Sequence, residues 1–242
     1  MAMIGKIIGG AAGFAIAGPL GALVGATAGH AMDRIGHREA VNTNATRNTA
    51  FTVAVIALSA KMENVDEQSF PNEIHALTEI INILPEDLEA VERVYNIAKN
   101  DPGGFEPYAQ QVSVMFADRP AVLEEILEVL FNVAKFNKTI SLKKESFLRE
   151  ISIIFGFNEI EFQRIKASHT YVKKQNPYMV LGVSHNANNQ KIYEAWRSLI
   201  KENHPDKLVA EGMPQEFIDM ATTKIATINT AWEEIRKQRK FK

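Results

Sequence analysis

The sequence predicts an all-α protein in three parts: a glycine-rich N-terminal segment, a central helical bundle and a C-terminal helical hairpin. Three observations support this prediction. Apolar residues recur at helical spacing from about residue 40 onward, and no run shows the alternation that a half-buried strand requires. Pro85 and Pro120 fall near expected helix starts, where the missing N–H of proline breaks no hydrogen bond.

The composition excludes several classes of function. The net charge of -2 over 242 residues gives no basic footprint for nucleic acid. The absence of cysteine excludes disulfides, thiolate zinc sites and a cysteine nucleophile. The sequence contains no phosphate-binding glycine loop, no nucleophile elbow and no His-Glu-x-x-His motif. We therefore expect no nucleic-acid partner and no cofactor.

The N-terminal segment, residues 1–35, has the composition of a membrane-associating helix. Residues 7–32 carry no formal charge when His30 is neutral, and this length suffices to cross a bilayer. Two groups of glycines recur at intervals of four residues: Gly5, Gly9 and Gly13, then Gly21, Gly25 and Gly29. This spacing places small residues on one helix face, where two helices can approach closely in a membrane. The segment therefore predicts membrane association, and its glycine face offers a contact for a homodimer.

The sequence leaves open whether this segment crosses the bilayer. Large apolar residues are sparse, and Pro19 interrupts the middle of the segment. A glycine-rich hairpin that associates with the membrane or with itself without crossing fits the same residues. If the segment crosses, the surplus of basic residues after it puts the rest of the chain in the cytoplasm. These residues are Arg34, Arg38 and Arg47, against Lys6 alone before the segment.

The central region, residues 40–172, is predicted to form a helical bundle. Its most apolar stretch, "TAFTVAVIALSAK", is too short to cross a membrane and fits a buried core helix. The "NDPGG" stretch at 100–104 marks a break between helices. Residues 57–70 and 132–147 both run from an apolar helix through Ala-Lys into a short loop and then Ser-Phe. This faint repeat predicts two related helix-loop-helix halves packed as one bundle.

The C-terminal region, residues 176–242, contains two long amphipathic helices. In "NNQKIYEAWRSLIKEN" the apolar stripe consists of Ile192, Trp196, Leu199 and Ile200. Lys191, Arg197 and Lys201 lie on the opposite arc of this helix. The second helix turns five residues inward: Phe217, Ala221, Ile225, Ile228 and Trp232. The stretch "EEIRKQRKFK" is interpreted as a basic tail.

Between these helices lies the tripeptide His204-Pro205-Asp206. A residue before proline is pushed out of the helical region, so His204 ends the first helix and Pro205 makes the corner rigid. After the corner we expect a loop as far as Pro214. The corner is either an ordinary turn or a docking tip for an acidic partner, since a basic helix face leads up to it. A catalytic histidine needs a second group to orient or deprotonate it, and the sequence shows none.

These C-terminal motifs resemble a J-domain, the module by which DnaJ-type co-chaperones engage Hsp70 chaperones. "NPYMVLGV" resembles the opening helix, "IYEAWRSLIKENHPDK" the basic helix with its signature corner, and "KIATINTAWEEI" the third helix. Trp196 and Trp232 stand where family members usually have tyrosine. Asn203 stands where an aromatic residue or a histidine often precedes the signature.

The resemblance implies a role for each matched residue. His204, Pro205 and Asp206 would stimulate ATP hydrolysis by a DnaK-type Hsp70 partner. Four basic residues would hold the acidic surface of that partner: Lys191, Arg197, Lys201 and Lys207. The protein would then act on the ATPase of another protein and would not itself be an enzyme.

The order of the three parts is similar to that of the DjlA-type membrane co-chaperones. Those proteins carry a glycine-rich membrane segment, a TerB-like helical domain and a C-terminal J-domain. The resemblance covers nearly the whole chain and implies three domains, at 1–35, 40–172 and 176–242. It also implies attachment to the bacterial inner membrane, with the bulk of the chain in the cytoplasm.

The TerB-like domain departs from that family at two turns that often carry Asp-Gly, whose carboxylates are candidates for metal binding. The matching positions here are Glu63-Asn64 and Asn137-Lys138, which are poor in the clustered carboxylates that a hard cation needs. We therefore expect no metal. Two rival functions stay open at this point. One is a membrane-linked scaffold or stress sensor that acts through the bundle, with the J-domain accessory, and the other is a metal-dependent enzyme built on the bundle.

Overall fold

The computed structural model describes residues 18–28, 44–65, 73–81, 83–136, 139–169, 176–210, 213 and 215–240. All regular structure in these ranges is helical, which confirms the predicted all-α class. The described residues form twelve helices, numbered here in chain order: α1 (Gly18–Ala28), α2 (Asn44–Glu63), α3 (Glu73–Ile80), α4 (Leu88–Asn100), α5 (Glu106–Met115), α6 (Pro120–Lys135), α7 (Leu142–Ile154), α8 (Glu159–His169), α9 (Pro177–Val180), α10 (Asn189–Glu202), α11 (Pro205–Ala210) and α12 (Gln215–Arg239).

The helices divide into two compact units. The first consists of Met1–Gly156 with Gly212–Pro214, and the second of Phe157–Glu211 with Gln215–Lys242. Helix α8 belongs to the second unit, where it contacts α9, although the sequence extended the bundle to residue 172. The domain limits expected from the sequence stay a prediction.

Helix α2 is the centre of the first unit. Every side chain from Ala50 to Met62 is buried, and five helices contact α2: α1, α3, α4, α5 and α6. A helix that is apolar on all sides has to be covered on all sides. The most apolar stretch of the central region is thus the buried core helix that the sequence predicted.

One buried cation ties α2 to the loop between α4 and α5. Lys61 donates from Nζ to the Asp101 carboxylate at 2.9 Å, to the Asp101 carbonyl at 2.7 Å and to the Gly103 carbonyl at 2.6 Å. Tyr108 donates its hydroxyl hydrogen to the same carboxylate at 2.9 Å. The hydrogen bonds from Lys61 and Tyr108 lower the pKa of Asp101. Burial, and next the bond to Asp101, raises the pKa of Tyr108 to about 12.

Helices α9, α10 and α12 enclose the core of the second unit. Its buried residues are Tyr178, Val180, Leu181, Ile192, Leu199, Ile228, Ala231, Trp232 and Ile235. Two asparagines cap helix starts, where N–H groups lack partners within the helix. Asn176 Oδ1 accepts from the N–H of Tyr178 at 3.1 Å, and Asn188 Oδ1 accepts from the N–H of Lys191 at 2.8 Å. The result is the predicted helical hairpin, with the His-Pro-Asp corner after α10.

Helix α1 lies in the glycine-rich segment and packs against the bundle. It contacts α2, α4 and α5, and its Leu20 and Leu23 are buried. Gly21 and Gly25 lie within α1, whereas Gly5, Gly9, Gly13 and Gly29 lie outside the described residues. Among the helices that the structure describes, none is long and apolar enough to cross a membrane.

Candidate functional site

The corner begins where Asn203 closes helix α10. Its backbone N–H and its side-chain Nδ2–H both donate to the carbonyl of Leu199, at 3.0 and 2.9 Å. Asn203 is 5% exposed, so these bonds satisfy polar groups that water hardly reaches. The sequence marked Asn203 only as a departure from a usual aromatic residue. One sequence signal could have revealed its capping role, since asparagine is among the residues often found at helix C-termini.

A second helix starts directly after the corner. The fixed φ of Pro205 suits the first helical position, and α11 runs from Pro205 to Ala210 with Asp206 in its first turn. The expected loop from the corner to Pro214 is therefore wrong over these residues. The physical reason is Leu208, whose side chain is buried in the second unit, where α11 contacts α12.

The side chains of His204 and Asp206 are accessible, with 50% and 88% of their surface exposed. The backbone N–H of Asp206 donates to His204 Nδ1 at 3.3 Å, and a carboxylate oxygen of Asp206 lies 3.5 Å from the same nitrogen. The first contact needs a lone pair on Nδ1 and the second needs a proton there, so they exclude each other. Because the carboxylate is solvated and the N–H is fixed in the backbone, the hydrogen bond orients the ring. It leaves the proton of the neutral imidazole on Nε2.

The four basic residues singled out from the sequence are all exposed: Lys191, Arg197, Lys201 and Lys207. Arg197 and Lys201 are about one turn apart on α10, on the side opposite the buried Ile192 and Leu199. In the described part of the chain, no side chain of the four forms an ion pair or a hydrogen bond. Their charge is therefore available to an acidic partner.

An aromatic cluster fixes α10 against α12 behind the basic residues. Trp196 and Trp232 stack with ring centroids 5.0 Å apart and planes at 12°. Tyr193 lies 5.6 Å from Trp196 and 5.8 Å from Trp232. Trp196 Nε1–H also donates to Asn229 Oδ1 at 3.0 Å. These contacts set the direction of α10, and hence of the corner at its end.

Arg239, the last residue of α12, holds the loop before α10. Its Nη1 donates to the carbonyl of Ala187 at 2.6 Å, and its Nη2 donates to the carbonyl of His185. The sequence interpreted this stretch as a basic tail and missed Arg239. Nothing in the local pattern distinguishes it from Arg236 or Lys237, because its partners lie far away in the sequence.

In the first of the two turns considered for a metal, both carboxylate oxygens of Glu63 already accept hydrogen bonds from the chain itself. Tyr95 donates its hydroxyl hydrogen to Glu63 Oε2 at 2.6 Å, and Lys99 Nζ donates to Glu63 Oε1 at 2.7 Å. The second turn, Asn137 and Lys138, lies outside the described residues. Among the residues that the structure describes, no group of three or more His, Cys, Asp or Glu side chains is placed to hold a metal ion.

Three family models match the chain, in the order expected from its motifs. The model of the co-chaperone DjlA transmembrane domain matches residues 1–51, that of the tellurite resistance protein TerB residues 52–167, and that of the DnaJ domain residues 176–241. The co-chaperone protein DjlA of Coxiella burnetii is 29% identical over 99% of this chain and 99% of its own. The protein of the same name from Photobacterium profundum is 26% identical over 99% of this chain and 100% of its own.

A third relative matches over a shorter stretch. The co-chaperone protein DjlA of Pasteurella multocida is 46% identical over 65 residues, which are 27% of this chain and 23% of its own. No solved structure matches the chain.

The short α9, the basic α10 and the long α12 lie within the match to the DnaJ domain, with the exposed His-Pro-Asp corner between α10 and α12. This defines the class of the protein as a J-domain co-chaperone. The transmembrane, TerB and DnaJ models match successive parts of the chain, and relatives named DjlA align over nearly its whole length. The chain is similar over nearly its whole length to the DjlA-type co-chaperones, and the resemblance drawn from the sequence is confirmed.

Proposed function

We propose that the protein binds a DnaK-type Hsp70 through the basic face of α10 and stimulates its ATP hydrolysis through His204, Pro205 and Asp206. The observation that carries this proposal is the exposure of His204 and Asp206 beside cations that have no acidic partner in the described part of the chain. A partner can therefore reach the corner without any rearrangement of the second unit.

Charge complementarity provides the docking force. Arg197 and Lys201 attract an acidic surface over a distance of about 10 Å, so the association rate should fall as salt is added. Asp206 carries the opposite charge at the tip, and its exposed carboxylate suits an arginine or a backbone N–H of the partner. Opposite charges at two places on one surface fix the orientation of the partner as well as attracting it.

The corner supports docking rather than catalysis by this chain. Within the described residues, the His204 ring makes polar contacts with Asp206 alone, and the bond at Nδ1 holds the ring in place. Among the residues that the structure describes, no nucleophile is hydrogen-bonded to the ring, as deprotonation by His204 would require. We therefore propose that the chain is not itself an enzyme and that ATP is hydrolysed at the partner.

We propose that this activity is exerted at the cytoplasmic face of the bacterial inner membrane. Support comes from the charge-free residues 7–32 and from the matching transmembrane family model. The basic residues that follow the segment favour a cytoplasmic location for the rest of the chain. The glycine face of the segment would hold the homodimer contact: Gly5, Gly9, Gly13, Gly21, Gly25 and Gly29.

A single-turnover ATPase assay with the full chain and a DnaK-type Hsp70 tests the mechanism. We expect His204→Gln and Asp206→Asn each to remove most of the stimulation while leaving the unfolding transition unchanged. His75→Gln, at an exposed histidine on α3, is the matched control and should stimulate like the unaltered chain. Full stimulation by His204→Gln, or none by the unaltered chain, would reject the mechanism.

A further inference from the structure

Helix α1 is held by the bundle through one defined face. Leu20 and Leu23 are buried, whereas Ala22 is exposed. The N–H of Leu20, one of the donors that a helix start leaves without a partner, donates to Gln111 Oε1 of α5 at 3.0 Å. Apolar contact and a hydrogen bond therefore both select this orientation of α1.

Gly18 allows α1 to dock in this way. Its φ is 79°, in the left-handed region that side chains other than glycine rarely adopt. A Cβ atom at Gly18 would lie 2.9 Å from Gln111 Oε1. The docked form thus favours glycine at this position for its backbone conformation, and a larger residue would also push the Gln111 amide away from its bond with Leu20. A helix that continues through residue 18 requires the ordinary right-handed conformation instead.

Docking and spanning are alternative conformations of the same residues. The 11 residues of α1 rise about 16 Å, short of the roughly 30 Å of hydrocarbon in a bilayer. Because Asp33 and Arg34 end the uncharged run soon after α1, a span must also include residues before Gly18. This takes Gly18 out of its left-handed conformation and Leu20 away from Gln111. In the continuous helix the N–H of Leu20 pairs with the carbonyl of Ile16. Both forms remove Leu20 and Leu23 from water, so neither leaves these side chains exposed.

We propose that the bundle surface formed by α2, α4 and α5 is a receptor site for α1 of the same chain, and that α1 leaves this site when the segment inserts into a bilayer. The proposal rests on the membrane attachment proposed above and extends it. The surface of the TerB-like unit beside Gln111 then has two states. It is covered by α1 away from the membrane, and it is open in the membrane-attached chain.

Single cysteines in the otherwise cysteine-free full chain test this proposal. In lipid-free buffer, Leu23→Cys should react with a water-soluble maleimide about tenfold more slowly than Ala22→Cys, because only position 23 is covered. On floated vesicles of phosphatidylethanolamine and phosphatidylglycerol, both cysteines should become unreactive. Gln111→Cys should react faster on the vesicles than in buffer, because α1 no longer covers it.

Gly18→Ala shifts the balance without any label. The added methyl group strains the docked form and favours a continuous helix, so the floated fraction at limiting lipid should rise several-fold. Gly156→Ala is the matched control. Its φ of 87° gives the same kind of backbone strain in the same unit, with no atom within 4 Å of the added carbon. It should leave the floated fraction unchanged.

Each other outcome overturns the proposal in a recognisable way. Equal reactivity of Leu23→Cys and Ala22→Cys in buffer would show that α1 is not docked. If Ala22→Cys stays reactive on vesicles while Leu23→Cys stays protected, α1 is docked in the membrane-attached chain. Docking and insertion would then not be alternatives. If no variant floats while protection in buffer persists, the membrane attachment proposed above fails, and the release of α1 on insertion fails with it.

Discussion

Arg239 donates from Nε to the hydroxyl of Tyr178 at 2.9 Å, and its guanidinium carbon lies 5.1 Å from the centroid of the same ring. The two residues are 61 positions apart, at opposite ends of the J-domain. Since Arg239 also binds the carbonyls of Ala187 and His185, one side chain joins the last helix to the opening helix and to the loop before α10. The planar five-donor fork of arginine fits this arrangement, whereas lysine offers a single point charge.

Arg239→Lys should lower the free energy of unfolding of the second unit by about 2 kcal/mol, because several of these bonds cannot re-form. Urea unfolding followed by tryptophan fluorescence measures this, since Trp196 and Trp232 both lie in that unit. Arg236→Lys is the control, because Arg236 pairs with Glu233 on the surface and should cost less than about 0.5 kcal/mol. Equal effects of the two substitutions would contradict the role given to Arg239.

The stability of the first unit should fall between pH 10 and pH 12 as Tyr108 ionises. Its pKa in the folded chain is raised from 10.0 to about 12, so its contribution is complete below pH 10 and is lost as the pH rises through about 12. The loss should be about 2 kcal/mol at most, once solvent screening is included. Unfolding followed by circular dichroism measures this as the difference between the unaltered chain and Tyr108→Phe. That difference in the free energy of unfolding should shrink as the pH rises from 10 to 12. A constant difference would refute the raised pKa of Tyr108. Tyr193→Phe, at an exposed tyrosine, serves as the control.

Asn203→Ala should loosen the corner while leaving His204 in place. The side-chain bond to Leu199 is lost in a buried position, at about 1 kcal/mol in the free energy of unfolding. Stimulation of the Hsp70 ATPase should fall under conditions in which the variant is still folded, because the end of α10 no longer holds the corner. Asn186→Ala, at an exposed asparagine of the same unit, should change neither quantity. Normal stimulation by folded Asn203→Ala would show that the cap does not position the corner.

A C-terminal fragment that includes α8 should be more stable than one that starts after it. Phe162 and Ile165 of α8 are 1% and 0% exposed, and burying two such side chains stabilises by about 3 kcal/mol. Urea midpoints of the fragments 157–242 and 170–242 measure the difference. Phe162→Ala in the longer fragment should remove most of it, whereas Ile160→Ala, at a side chain 65% exposed, should not. Equal midpoints would mean that α8 does not support the J-domain.

The sequence predicted the features that depend on local pattern. The all-round apolar stretch identified the buried α2, and Pro205 located the corner that follows α10. Features that depend on distant contacts could not be predicted, because nothing near Arg239 or Lys61 points to partners 61 and 40 positions away. The six residues of α11 are too few for periodicity to reveal, and the helix is favoured by Pro205 at its start and by the burial of Leu208. Helix α8 groups with the second unit, a division that its place in the sequence does not reveal.

During synthesis, helix α2 leaves the ribosome before four of the five helices that surround it. The last of them, α6, ends roughly 70 residues later, which at about 5–20 residues per second takes ~4–14 s. In that interval a long apolar stretch of the nascent chain lacks most of its cover. Each newly translated molecule thus presents the kind of surface that draws chaperones before its own J-domain has been synthesised.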